Sequence, residues 1–159
     1  MCQTRKSCKN KQIVSKRRIA DHGEVFTAPR EVNAMLDLVK QETQRIDSRF
    51  LEPACGKGAF LTEILRRKLD VVNARYHRNQ VEYERYMILA VSSIYGIDIL
   101  ADNVADCRTL LLGICTENYA AACKCECCCI PADFIETLRF ILIKNIVWGD
   151  ALTLKYADG

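Results

Sequence analysis

The stretch FLEPACGKGAFL, from Phe50 to Leu61, carries a short apolar run, an acid, a proline and two glycines. The run from Arg49 to Glu52 is typical of a short strand that ends on an acid. Gly56 and Gly58 supply backbone conformations that are closed to other residues. Helical spacing follows in the apolar residues Phe60, Leu61, Ile64, Leu65 and Leu69. The stretch therefore predicts a strand, a glycine turn and a helix, which open a βαβ unit.

Outward from this stretch, helical and strand patterns alternate. Pro29 suits the first position of a helix that apolar spacing extends to about Arg45. The later strand patterns SIYGIDIL and NIVWGD end on Asp98 and Asp150. Further helices are predicted at Gln80 to Val91, Ala101 to Leu112 and Ala132 to Ile143. The alternation predicts an α/β fold, a Rossmann-like doubly wound sheet that is incomplete at its C-terminus.

The chain divides into a basic arm and one larger unit. Seven of the first eighteen residues are basic and none is acidic, so residues 1–20 are interpreted as a flexible arm. Residues 21–159 are predicted to form a single partial domain, with a helical insertion at about 69–93 and a Cys-rich connection at about 115–131. The chain shows no secretory signal and no long apolar run, which predicts a cytoplasmic location.

Ten cysteines are present, and five crowd into CKCECCC. These five are Cys123, Cys125, Cys127, Cys128 and Cys129. Their spacing matches no paired metal-ligand motif, so a structural zinc site stands as the alternative to small apolar fillers in a variable connection.

Three predicted strands each end in a carboxylate, at Glu52, Asp98 and Asp150. Ligands of doubly wound sheets bind beyond the carboxyl ends of the strands, and an acid at the second strand end suits a ribose diol. The dinucleotide fingerprint is absent, because Leu61 stands where its third glycine belongs, and the P-loop pattern is absent as well. A short glycine turn with three acids fits S-adenosylmethionine, which carries no phosphate.

Four motifs in this order resemble the N-terminal part of the catalytic domain of DNA adenine-N6 methyltransferases of restriction-modification systems. They are GEVFTAP (residues 23–29), FLEPACGKGAFL, IYGIDI and VWGDAL, and the resemblance covers most of residues 16 to 158. It implies an S-adenosylmethionine-dependent enzyme that acts on DNA. Two features depart from the family: Ala28 separates Thr27 from the proline, and Asp98 lies forty residues beyond Gly58.

The resemblance implies a role for each matching residue. Phe26 and Thr27 would contact the methionine portion of the cofactor. Its amino and carboxylate groups would be surrounded by Glu52, Ala54, Gly56 and Gly58. Asp98 would take the ribose hydroxyls, and Asp150 would accept a hydrogen bond from the exocyclic amine. No catalytic residue and no metal ligand is assigned.

Each of these residues also has a purely structural interpretation. Glu52 and Asp98 would then be strand-end acids that cap the following helices. The two glycines would only make a tight turn, and Asp150 would belong to an ordinary loop.

The catalytic loop of the family, Asn/Asp-Pro-Pro-Tyr/Phe, has no counterpart in this sequence, whose only prolines are Pro29, Pro53 and Pro131. The resemblance therefore implies that the isolated chain is inactive. DNA would be the substrate of the complete enzyme, and a second chain is a possible source of the missing loop and of target recognition. The alternative is a non-catalytic, S-adenosylmethionine-binding or subunit-like protein.

Overall fold

The computed structural model describes residues 27–122 and 130–157. These residues form a mixed α/β fold with a small four-stranded sheet. The helices are α1 (Pro29–Asp37), α2 (Lys40–Thr43), α3 (Ala59–Tyr76), α4 (Gln80–Ser92), α5 (Ala101–Ala122) and α6 (Ala132–Asn145). The strands are β1 (Phe50–Glu52), β2 (Ile94–Asp98), β3 (Ile146–Asp150) and β4 (Lys155–Tyr156).

The sheet has the order β1-β2-β3-β4, in which β1, β2 and β3 are parallel and β4 is antiparallel to β3. Each parallel strand ends on the acid that the sequence predicts. The mixed α/β class is therefore confirmed. β4 was not predicted, since a strand of two residues carries no periodicity.

One face of the sheet packs against helices. A Cβ placed on Gly96 would lie 2.8 Å from Leu61 Cδ1, so this face of β2 touches α3. Ile94 and Ile146, which share that face by register, have no exposed surface. The core therefore lies between this face and the helices.

The helices continue past the amino ends of the strands. α3 has 18 residues and a length of about 27 Å, whereas β2 has five residues and a length of about 17 Å. α3 and α5 pack on each other, and α4 and α6 complete a ring of four contacting helices. An aromatic cluster lies in this bundle, with Tyr119 in ring contact with both Tyr83 and Phe134. The bundle supplies the part of the core that the short strands cannot.

The first predicted helix is wrong in its extent. Its pattern predicted one helix to about Arg45, but α1 ends at Asp37 and a separate four-residue α2 follows. Val39, between them, has non-helical backbone angles (φ −119°, ψ 31°). The chain turns there; Val32 and Leu36 are buried, whereas Met35 and Val39 are exposed. Pro29 does start the helix, and Glu31 accepts a hydrogen bond from the Ala28 N–H.

The fifth helix is longer than its pattern predicted. α5 continues from Leu112 to Ala122, so the start of the predicted Cys-rich connection, from residue 115, is helical. Cys115 and Tyr119 are buried on this extension. The helical spacing of this segment predicts Leu110 on its buried side, yet Leu110 is 50% exposed. The cysteines at 123–129, like the basic arm at 1–20, lie outside the described residues.

Candidate functional site

The three strand-end acids lie on one face of the sheet. Glu52 is opposite Gly96 in the register, and Asp98 is two residues further along the same strand. Asp98 is in turn opposite Trp148, two residues before Asp150. Because side chains alternate along a strand, all three acids lie on the face of Gly96, which is the face that packs against α3.

The acids form a staggered row along the carboxyl edge. Each strand extends two residues beyond the partner of the preceding acid. With a rise of about 3.3 Å per residue and a strand spacing of about 4.8 Å, successive acid Cα atoms lie about 8 Å apart. The row is therefore about 16 Å long. It suits an extended ligand with several polar groups better than a small ion.

The glycine turn joins this row at β1. Gly56 has φ +51° and Gly58 has φ +88°, both in the left-handed region that favours glycine. The Cys55 N–H donates to the Ile97 carbonyl at 2.9 Å, and the Gly58 N–H donates to the Cys55 carbonyl at 2.8 Å. The turn is therefore fixed to β2 as well as to β1.

The two glycines have different surroundings. A Cβ placed on Gly58 would lie 2.6 Å from Cys107 Sγ, so α5 packs too closely for any side chain there. A Cβ placed on Gly56 would have no atom within 4 Å. Gly58 is thus required by packing, whereas the space over Gly56 is open to a ligand.

Asp98 is buried and already bonded to the protein. Its Oδ2 accepts from the Gly56 N–H at 2.8 Å, and its Oδ1 accepts from the Leu100 N–H at 2.9 Å and from Asn103 Nδ2 at 3.3 Å. The residue is 8% exposed. The capping interpretation of Asp98 is therefore part of its role, because the carboxylate organises the glycine turn and the entry to α5. A carboxylate has about four acceptor positions, so acceptor capacity remains for a ligand.

Glu52 is a half-buried acid beside the turn. Burial raises the pKa of Glu52 above its usual value, and a hydrogen bond from the backbone N–H of Ala54 opposes this rise. A carboxyl whose charge is disfavoured by burial gains from a cationic partner. Glu52 is accordingly a candidate acceptor for a ligand ammonium.

Asp150 has a more exposed setting. The Leu152 N–H donates to its Oδ1 at 2.8 Å. This donor and the Thr153 hydroxyl hold the pKa of Asp150 below its usual value. The turn that follows contains Leu154 at φ +55°, a left-handed backbone that leucine rarely adopts. Asp150 thus also organises the turn into β4.

The N-terminus of α3 opens onto the same edge. Gly58 provides no side-chain cap, and no acid lies in the first helical turn. The free N–H groups and the helix dipole make this end favourable for an anionic group. Lys57 forms an ion pair with Asp106 at 2.7 Å, which links the glycine turn to α5.

Large apolar side chains flank the acids, and sequence reasoning missed them. Ile99 follows Asp98 and is 58% exposed, while Leu152 follows Asp150 and is 95% exposed. Trp148 is opposite Asp98 in the register, and its indole N–H donates to the Ile99 carbonyl at 3.0 Å. Their position in the sequence, beside strand-end acids, is the signal that could have identified these apolar residues.

The cysteine of the turn is a packing residue. The Cys107 thiol, which shares a hydrogen bond with Cys55, and burial together raise the pKa of Cys55. A thiol that stays protonated is a poor nucleophile. Cys55 therefore belongs to the support beneath the turn.

The predicted methionine contacts are only partly described. Phe26 lies outside the described residues. Thr27 immediately precedes Ala28, whose carbonyl accepts the first hydrogen bonds of α1. Among residues 27–122 and 130–157, no hydrogen bond or ion pair joins Thr27 to the glycine turn. The structure thus brings together Glu52, Ala54, Gly56, Gly58, Asp98 and Asp150, whereas no polar contact of the described residues ties Thr27 to them.

Residues 27–122 and 130–157 lack two kinds of feature. No helix in that part of the chain is both long enough and apolar enough to cross a membrane. In the same residues, no group of three or more histidine, cysteine, aspartate or glutamate side chains is arranged to hold a metal ion. Comparisons of the chain with family models, curated proteins and solved structures found no match.

Proposed function

We propose that this chain is the S-adenosylmethionine-binding portion of a DNA adenine-N6 methyltransferase of a restriction-modification system, with a Rossmann-like doubly wound sheet. The observation that carries the proposal is the row of three acids on one sheet face, beside a glycine turn that is open above Gly56. An adenosyl group joined to an amino acid has polar groups spread along its length, which suits such a row.

The nucleoside half of the cofactor would lie over β2 and β3. Asp98 retains acceptor capacity for the ribose hydroxyls while it holds Gly56. Asp150 would accept from the exocyclic amine of adenine. The exposed side chains of Ile99 and Leu152 would supply apolar contacts to the adenine ring.

The amino-acid half would lie over the glycine turn. Glu52 would accept hydrogen bonds from the ammonium group, which offsets the cost of its burial. The carboxylate of the cofactor would lie at the uncapped N-terminus of α3, as anions do at helix N-termini. The open space over Gly56 allows the ligand to approach the backbone closely.

The bound cofactor would supply a sulfonium methyl group, and the residues described above would hold and orient it. Transfer to adenine N6 also requires acceptors that align the amine, and no Asn/Asp-Pro-Pro-Tyr/Phe sequence occurs in the 159 residues. We infer that such a loop, and the recognition of DNA, come from outside these residues, either in a longer protein or in a second chain. Three thiols that are buried and free, Cys55, Cys107 and Cys115, agree with a reducing, cytoplasmic location.

The absence of that loop from the sequence favours one alternative, a non-catalytic S-adenosylmethionine-binding or subunit-like protein. Both functions require the same cofactor site. They differ in whether a chain with the Pro-Pro-Tyr loop restores methyl transfer.

A ligand panel tests the proposal. S-adenosylmethionine and S-adenosylhomocysteine, each in excess, are expected to raise the melting temperature of the full chain, because a ligand that binds only the native state stabilises it. ATP and NAD at equal concentrations are expected to leave it unchanged, since the phosphate-binding patterns are absent. Equal stabilisation by all four ligands, or by none, would overturn the proposed cofactor.

A further inference from the structure

Lys68 is a buried cation outside the proposed cofactor site. It lies in the middle of α3 and has no exposed surface. Its Nζ donates to the Ile46 carbonyl at 3.1 Å, to Ser93 Oγ at 2.5 Å and to the Ser48 carbonyl. Buried charges persist only where they are well paired. Three acceptors at one nitrogen therefore form a built site for the ammonium group.

These acceptors belong to the segments that enter two neighbouring strands. Ile46 and Ser48 lie in the segment before β1, and Ser93 directly precedes β2. The Ser93 carbonyl accepts from the Phe50 N–H at 2.9 Å, which is the first link between the two strands. Ser93 Oγ also lies 3.2 Å from the Ile46 carbonyl. Lys68 thus joins α3 and the starts of β1 and β2 at one point.

This junction is close to the candidate site because β1 is short. β1 has three residues, so Glu52 lies about 7 Å from Phe50 along the strand. A register shift of one residue would move Glu52 to the opposite face of the sheet. A contact that fixes the start of β1 therefore also fixes Glu52 relative to Asp98.

We infer that Lys68 is a positioning residue: its ammonium group fixes β1 against β2 and thereby sets Glu52 and the glycine turn relative to Asp98. The consequence for ligand binding rests on the proposed function. The consequence for the backbone does not, because the turn is held to β2 by the Cys55 and Gly56 N–H groups whether or not a ligand is bound.

The variant Lys68→Met removes the charge and the donors and keeps most of the side-chain volume. Its matched control is Leu138→Ala, a buried residue on α6, a helix that packs on α4 and α5. Amide hydrogen exchange reports the backbone, and titration with S-adenosylmethionine reports the site. We expect Lys68→Met to speed exchange at Cys55 and Gly56 far more than in α5 and α6, and to weaken binding about tenfold or more. Leu138→Ala is expected to speed exchange in the helices and to leave affinity within about twofold.

Faster exchange spread evenly over all elements in Lys68→Met, or unchanged affinity with unchanged exchange at the turn, would overturn the positioning role. If Lys68→Met does not fold, Ser93→Ala removes one acceptor alone and should give the same pattern with a smaller amplitude; a pattern without preference for the turn would again overturn it. If the unaltered chain does not bind S-adenosylmethionine, the proposed function fails, and the exchange pattern alone decides the role of Lys68.

Discussion

Asp98 connects the glycine turn to α5, so its structural and ligand-binding roles are joined in one carboxylate. It accepts from the Gly56 N–H, the Leu100 N–H and Asn103 Nδ2 while almost fully buried. At the sequence level these two roles were alternatives. The contacts show that Asp98 has the structural role, and this role leaves the carboxylate able to bind a ligand as well.

Replacing Asp98 is therefore expected to lower stability as well as ligand affinity. Asp98→Ala should reduce the free energy of unfolding by about 1.5–3 kcal/mol, because hydrogen bonds to a charged group are lost. The control is Asp106→Ala, an exposed acid paired with Lys57 near the same turn, which should cost less than about 1 kcal/mol. Urea unfolding of the unaltered chain and of the two variants measures both losses of stability. Equal stabilities for Asp98→Ala and the unaltered chain would show that the three hydrogen bonds accepted by Asp98 do not contribute to stability.

Gly58 gives a second prediction at the residue scale. Gly58→Ala combines a left-handed backbone, at about 1–2 kcal/mol, with a clash against Cys107 Sγ. Adding Cys107→Ala should recover the loss of stability that is due to the clash, while the loss that is due to the strained backbone should remain. Unfolding free energies of the two single variants and the double variant form the cycle that tests this. A double variant whose cost equals the sum of the two single costs would contradict the clash.

Among the elements, the strand ends could be predicted and several boundaries could not. Each acid follows a short apolar run, and that local pattern located Glu52, Asp98 and Asp150 correctly. The end of α1 depends on tertiary contacts, since the chain turns at Val39 toward a segment that Lys68 binds. The full length of α5 could not be predicted, because its last part is stabilised by tertiary packing of Cys115 and Tyr119 rather than by a local pattern.

The junction at Lys68 predicts a dependence of stability on pH. Burial lowers the pKa of Lys68 to about 8 from an ordinary value of 10.5, and the carboxylates of Asp47 and Glu42 oppose this shift. Between these values the unfolded chain binds more protons than the folded chain, so the contribution of Lys68 to stability rises with pH. Relative to Lys68→Met, the unaltered chain should gain up to about 3 kcal/mol between pH 8 and pH 10.5.

Urea unfolding of both proteins at pH 7, 8, 9 and 10 measures this difference, and the comparison cancels the titration of groups common to both. A difference that stays constant, or that moves in favour of Lys68→Met as pH rises, would contradict the lowered pKa.

At the scale of the whole molecule, the fold class could be predicted and the common face of the acids could not. Strand and helix periodicities are local, and their alternation indicated a mixed α/β fold. The shared face depends on the register between strands, which no single strand encodes. The helical bundle beyond the strands was equally hidden, because it arises from how long helices pack on short strands.

The whole chain is also expected to lack methyltransferase activity on its own. Alignment of reacting groups contributes up to about 7–11 kcal/mol to catalysis, and the sequence has no Pro-Pro-Tyr loop to align an adenine amine. Incubation with labelled S-adenosylmethionine and mixed-sequence DNA should give no N6-methyladenine, whereas a complete DNA adenine-N6 methyltransferase in the same assay should. Turnover by the pure chain would show that other residues perform the work of that loop.

Binding of the cofactor is the central claim, and two glycine variants test it most directly. A Cβ on Gly56 or on Gly113 would meet no protein atom within 4 Å, but only Gly56 lies in the proposed site. Calorimetric titration of S-adenosylmethionine should show one site per chain in the unaltered protein and in Gly113→Ala. Binding should be weakened about tenfold or more in Gly56→Ala, because the added methyl group occupies the space of the ligand and also strains the left-handed backbone of the turn (φ +51°). Absence of binding to the unaltered chain, or equal affinity in all three proteins, would contradict the account.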